Sequence, residues 1–268
     1  MGNLAEFRRR FAFDPNKALY LGVEREYFVT DQAGKIVPKA PELLSFLHSP
    51  HSDPIDPLGV FGYELSACQV ESHAGPRSTL EALVSDLRRG EEALDRGLAA
   101  LGLGVSYTEV APADMPLDVY PDPTGRYQEI TRTMPRNILL GACRIIGTHV
   151  HIGMPDHETA LHVYNSIVPE VPRLCGSAYS TPERQQIYRE VAVRCDPPAY
   201  ESWEAFHFHA LQHGFEEDPR RCWTLARISG HGTLEFRMFG ATADIHRVAA
   251  WASECRALCV DAMDMVDA

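Results

Sequence analysis

Gly147-Thr148-His149-Val150-His151-Ile152-Gly153 reads as a β-strand with two histidines on one face. Strand side chains alternate with period two, so His149 and His151 point one way while Val150 and Ile152 point the other. The apolar side predicts burial against a core. The other side offers imidazoles, which ligate metals and hydrogen-bond phosphates. Two polar strand residues bonded to neighbours would look the same. The reading therefore gains weight only from other segments with the same geometry.

Such segments are present. Leu19 to Thr30 is rich in aromatic and branched residues and leads into a turn at Asp31-Gln32-Ala33-Gly34, which predicts a strand. Glu24 and Glu26 share one of its faces. Paired carboxylates are costly to bury without a cation, although an exposed edge strand with two solvated glutamates fits the pattern as well. Between Phe61 and Glu71 lie two more carboxylates, Glu64 and Glu71. A continuous strand would separate them by about 23 Å on opposite faces, so they meet at one metal only if the chain bends between them. Near the end, Trp223 to Ile228 and Gly232 to Phe239 predict two strands joined by Ser229-Gly230-His231-Gly232. In the second, Glu235 and Arg237 share a face opposite Leu234, Phe236 and Met238.

The remaining chain supplies cover. Helices are predicted over Pro41 to Leu47, from a Ser78–Glu81 capping box to Gly102, from Arg126 toward Arg136, after Asp156, over Trp203 to Gly214 and over Ala243 to Val266. Gly104 to Val110 reads as a strand, His48 to Pro57 as a loop with His48 and His51 at the surface, and Pro172 to Pro198 as irregular. His157 and His162 read as surface or packing residues. Arg173, Arg184, Arg189 and Arg194 are candidate anion holders in an acidic protein, with scattered surface arginines as the plainer reading.

A length of 268 residues and 45% hydrophobic content support a sizeable core in one domain spanning residues 1–268. A formal charge of -12 argues against nucleic acid held by general phosphate attraction. The seven cysteines are odd in number with no Cys-x-x-Cys pair, which favours reduced thiols in a cytoplasmic setting. Cys255 and Cys259, one helical turn apart, read as packed thiols. Neither a signal peptide nor a membrane-spanning apolar run is apparent.

Glu, His and Arg side chains thus lie on one side of several strands, with apolar residues on the other. This predicts an α+β fold: an antiparallel sheet packed by helices on one face, with a solvent-filled cleft on the other. The oxygen-rich donors suit Mg2+ or Mn2+ better than zinc. Hard cations beside arginines suit phosphoryl chemistry, and no Walker-type loop is present.

Taken together, Leu21-Gly22-Val23-Glu24-Arg25-Glu26, Glu64 to Glu71, Gly147 to Gly153 and Gly232 to Arg237 occur in an order that resembles the type 2 glutamate-cysteine ligase family of carboxylate-amine ligases. Arg126-Tyr127 and Pro172 to Ala178 are similar to that family too. The resemblance implies a glutamine-synthetase-like fold, a curved antiparallel sheet forming a cleft, with the chain bent between Glu64 and Glu71. It implies that Glu24 and Glu26 bind different metals, that Glu64 and Glu71 complete one site, and that His149 with Glu235 completes the other. His151 would approach the nucleotide, and Arg237 the phosphoryl group in flight. The implied reaction uses ATP and Mg2+ or Mn2+ to join an amino-acid-like carboxylate to an amine through an acyl phosphate. A homodimer is compatible with it. Relatives often carry Gly-Thr-His-Pro-Phe where this chain has Tyr107 to Pro112, and Asp where it has Gly240, and fuller relatives continue for roughly a further small domain. These departures are expected to bear on substrate handling. A non-catalytic nucleotide-binding relative and a metal-dependent hydrolase are the alternatives.

Overall fold

The computed structural model describes residues 3–49, 60–192 and 194–265. Seven strands form one open antiparallel sheet among these residues. They are β1 (Leu21–Thr30), β2 (Phe61–Tyr63), β3 (Gln69–Arg77), β4 (Gly104–Ser106), β5 (Thr148–Gly153), β6 (Ala226–Ser229) and β7 (Thr233–Phe239). Across the sheet the order is β2-β3-β1-β5-β7-β6, and β4 joins β1 beyond the end of β5. β1 is therefore central, with β3 along one edge and β5 then β4 along the other. The strand expected over Gly104 to Val110 stops at Ser106, the partner of Phe28, because from Arg25 back toward Leu21 that edge of β1 is taken by β5.

Alternation decides what each face carries. Leu21, Val23, Val150, Ile152, Leu234, Phe236 and Met238 join one buried cluster, packed by the helices Leu80–Leu101, His157–Ile167 and Ile245–Asp264. Fully burying such a side chain contributes roughly 1.5–3 kcal/mol relative to exposure. Tyr27, Val29 and Val70 pack on Leu43, Leu47, Leu94 and Leu98 in a neighbouring cluster. Arg25 also turns to the helix side, between Glu24 and Glu26 in sequence. It is 2% exposed, donates to Glu91 and to the Thr242 carbonyl (2.8 Å each), and lies over the Tyr27 ring.

The long helix is capped by Thr79, whose hydroxyl accepts from the Ala82 N–H, and not by Ser78; adjacent hydroxyls give the same signal one residue apart. Gly102 closes it at φ 62°. The helix expected from Arg126 toward Arg136 is two helices, Arg126–Thr131 and Arg136–Arg144, since Pro135 cannot continue the first. Pro172 to Pro198 is not irregular. It holds the helices Val171–Ser177 and Pro182–Ala192, and the latter buries Arg184, Ile187, Tyr188 and Val191 on one stripe. An arginine heading that stripe hides its periodicity. His157 packs against Phe13 and Trp203 while His162 is exposed, and Cys255 and Cys259 are buried free thiols. His48 is at the surface near Phe61; His51 lies outside the described residues. No helix of the described residues is long and apolar enough to cross a membrane.

Candidate active site

The strand register lines up charge in rungs across the open face. Gly62, Glu71 and Glu26 lie opposite one another on β2, β3 and β1. The next rung places His73, Glu24 and His149 across β3, β1 and β5. A third runs from Gly22 through His151 and Glu235 to Arg227. Between β5 and β7 the register steps by one residue around His149, as at a β-bulge. Arg237 arrives there with Nη1 3.5 Å from His149 Nδ1. Glu64 comes from the bend between β2 and β3. The antiparallel pairing of Tyr63 with Val70 folds the chain back, so Glu64 and Glu71 meet.

Two three-donor groups result. Oxygens of Glu26, Glu64 and Glu71 lie within 4.8 Å of one another, and so do donor atoms of Glu24, His151 and Glu235. His149 stands between the groups. Its Nδ1 is 3.0 Å from Glu24 and 3.9 Å from Glu235, and its Nε2 is 3.6 Å from Glu26. The imidazole grouped with both Glu24 and Glu235 is thus His151, 3.3 Å from Glu24, with His149 touching both groups.

Electrostatics separate the two groups. Burial and the Glu71 carboxylate push Glu64 well above the usual carboxylate range; burial and Glu24 do the same to Glu71, and burial raises Glu26. Burial also opposes charge on Glu235, but Arg227 (2.6 Å) and Arg237 hold it far below that range. Against burial, the His151 and His149 imidazoles keep Glu24 low. Glu24 and Glu235 in turn raise His151 against its burial. The His151 Nδ1 pairs with the Thr233 hydroxyl at 2.8 Å, which turns its buried Nε2 toward Glu24, 3.3 Å away and off hydrogen-bond geometry.

These donors fit divalent cations. Three crowded carboxylates offer only hard oxygen, and the second group adds one imidazole nitrogen oriented by a hydroxyl, as ligating histidines usually are. The surrounding cavity holds about 570 Å³. Of the six arginines that line it, Arg126 and Arg220 are tied to Asp218, Arg227 and Arg237 to Glu235, and Arg184 to the Ile146 carbonyl. Arg10 is exposed, and its guanidinium has no partner among the described residues. The helices Arg136–Arg144 and Pro182–Ala192 pack together as one wall, from which Tyr188 reaches Arg237 at 3.2 Å. A neighbouring cavity of about 380 Å³ shares Glu24 and His231 and is walled by Tyr20, Val23, Pro76 and Met154.

Of the scattered arginines, Arg184 is buried beside the cleft, while Arg173 is a surface residue paired with Glu170 and Glu254. Arg227 and His73 were not singled out by the sequence reading. Arg227 was findable, because counting back from the Ser229–Gly232 turn sets it opposite Glu235. His73, 2.7 Å from Glu71, continues the alternation of β3. The two departures meet each other. The buried Glu109 carboxylate accepts the Thr181 N–H at 2.6 Å and fills the space a Cβ on Gly240 would need, 1.7 Å away. Neither residue lines the cleft.

The fold is similar to that of two solved structures. A bifunctional glutathione synthetase from Pasteurella multocida superposes over 97% of this chain and 39% of its own, with TM-score 0.57 and 12% identity. A GmaS–ADP complex matches over 98% of this chain and 59% of its own, with TM-score 0.51 and 12% identity. In sequence, a glutamate–cysteine ligase from Natronomonas pharaonis is 26% identical over 94% of this chain and 72% of its own length. The chain spans only 20% of a Rhodococcus jostii relative and 62% of one from Micrococcus luteus. Residues 20–268 match the model of glutamate-cysteine ligase family 2 (GCS2), and the chain belongs to that family.

Proposed function

We propose that this protein is an ATP-dependent carboxylate–amine ligase acting on small amino-acid-like substrates. The observation that carries the reading is the pair of adjoining donor groups on one sheet face, with Arg237 beside both. Glu26, Glu64 and Glu71 would hold one Mg2+ or Mn2+, and Glu24 and Glu235 another, with His149 and His151 as its nitrogen donors. Such ions, when bound, neutralise phosphate oxygens. The purine and ribose would sit in the apolar-walled cavity beside His151, with the triphosphate toward the carboxylates.

In the first step a substrate carboxylate oxygen bonds to the γ-phosphorus, and the bond from that phosphorus to the bridging oxygen of ADP breaks. The amine then bonds to the acyl carbon, phosphate leaves, and the nitrogen loses a proton. Arg237, fixed by Glu235 and the Tyr188 hydroxyl, stays cationic where charge builds on the phosphoryl group. The paired helices and the buried Arg184 shield the acyl phosphate from water. Seven free cysteines support a reducing, cytoplasmic setting.

Release of ADP and phosphate from ATP with Mg2+ or Mn2+, across amino acids singly and in pairs, tests the reading. Turnover that needs one acid and one amine and disappears in Glu235→Gln is the expected result. Saturable binding of metal-nucleotide without turnover for any pair rejects ligation in favour of a binding protein, and turnover without ATP indicates a hydrolase.

A further inference from the structure

Residues 3–19 precede the family match, yet they touch both cavities. After the helix Leu4–Arg8 the chain runs as a strap along the β6–β7 turn and the end of β5. Phe7, Phe11 and Phe13 hold it against Trp203, the Ala12 N–H donates to the Gly230 carbonyl at 3.0 Å, and the Leu19 N–H donates to the Gly153 carbonyl at 2.8 Å. Arg8 adds an ion pair to Glu158 at 2.7 Å.

Two glycines of the matched region seat this strap. A Cβ on Gly153 would stand 2.1 Å from the Lys17 carbonyl oxygen, and one on Gly232, whose φ is 72°, 2.2 Å from that of Ala12. Any side chain at either place would push the strap off. Seated so, the strap sends Arg10 into the carboxylate-lined cavity and lays Ala12, Asp14 and Lys17 along the apolar-walled one. A metal-bound nucleotide would set its apolar end in the smaller cavity and its anionic end among the carboxylates and arginines of the larger one. Arg10 is the arginine at that cavity left without a partner among the described residues, so its charge is free for such a ligand.

We propose that the strap completes the nucleotide site, with the Arg10 guanidinium binding a phosphate oxygen while residues 12–17 flank the nucleoside. The proposal rests on the nucleotide reading above. It assigns part of that site to residues outside the family match.

Calorimetric titration of the full chain with the Mg2+ complex of AMPPNP, and separately with adenosine, tests it in wild type, Arg10→Ala, Arg10→Lys and Arg9→Ala. Arg10→Ala should weaken AMPPNP binding about tenfold, the scale of one charge-assisted contact, with adenosine unaffected. Arg10→Lys should recover part of the loss, and Arg9→Ala should match wild type. Wild-type affinity for AMPPNP in Arg10→Ala overturns the proposal, as does an equal loss for adenosine. A wild type that binds neither probe overturns the nucleotide reading and the strap's role together. Failure of ligation alone shows differently, as AMPPNP binding by a wild type that releases no ADP.

Discussion

Glu71 and Glu235 occupy the same sheet face and are opposites in energy. Glu71 faces Glu26 directly across the strand pair, and like charges so placed are destabilising by roughly 0.2–1 kcal/mol. Glu235 sits between Arg227 and Arg237 with 1% of its side chain exposed. The two isosteric variants should therefore shift the metal-free protein in opposite directions. Glu71→Gln raises its melting temperature by about 1–4 °C, whereas Glu235→Gln, which leaves two guanidinium groups without their carboxylate, costs about 3 kcal/mol. Thermal melts in EDTA check both, and a lower midpoint for Glu71→Gln would show that the crowding is not felt.

Elements were legible where one physical pattern dominated them. The alternation of Glu24 and Glu26, of His149 and His151, and of Glu235 and Arg237 marked three strands and their open face from sequence. The bend joining Glu64 to Glu71 was legible from the residues themselves only as a geometric requirement, which the family resemblance then answered, because register depends on partners far along the chain. The helix Pro182–Ala192 was missed because Arg184 and Tyr188, which its buried stripe presents toward the cleft, are not an apolar repeat. The approach to the helix Arg126–Thr131 carries its own pH signature. Burial opposes charge on Asp122, but the N–H groups of Thr124 and Tyr127 and the hydroxyls of Thr124 and Tyr63 bring it down to about 2. Since the folded value lies below the ordinary 3.8, the stabilisation is complete above pH 4 and is lost as pH falls toward 2. Asp122→Asn should accordingly be less stable than wild type at neutral pH, with the gap closing on acidification. Urea unfolding at stepped pH measures it, and a constant gap would refute the assignment.

Across the whole molecule, the open face gathers the carboxylates and the helix face gathers the core, so a cation bound among those carboxylates would be coupled to the stability of the entire sheet. Glu24 and Glu26 come from its central strand, and Glu71, His149, His151 and Glu235 from the strands on either side. Mg2+ or Mn2+ at about one hundred times its dissociation constant should stabilise the folded chain by about 2.7 kcal/mol. EDTA should reverse the gain, and Glu71→Gln should reduce it. An unchanged melting temperature would mean that no cation binds there. The alternation along Glu24, Arg25 and Glu26 has a separate consequence, for folding. Were β1 to pair one residue out of step, its faces would exchange. A guanidinium would enter the cleft among Arg184, Arg227 and Arg237, and two carboxylates would enter the helix-packed side beside Glu91. The same slip would move Leu21 and Val23 out of the core, so the order of acid, base, acid adds a charge penalty to the hydrophobic one and disfavours misaligned sheets while the chain is still condensing, before any ligand is available to reward the correct one.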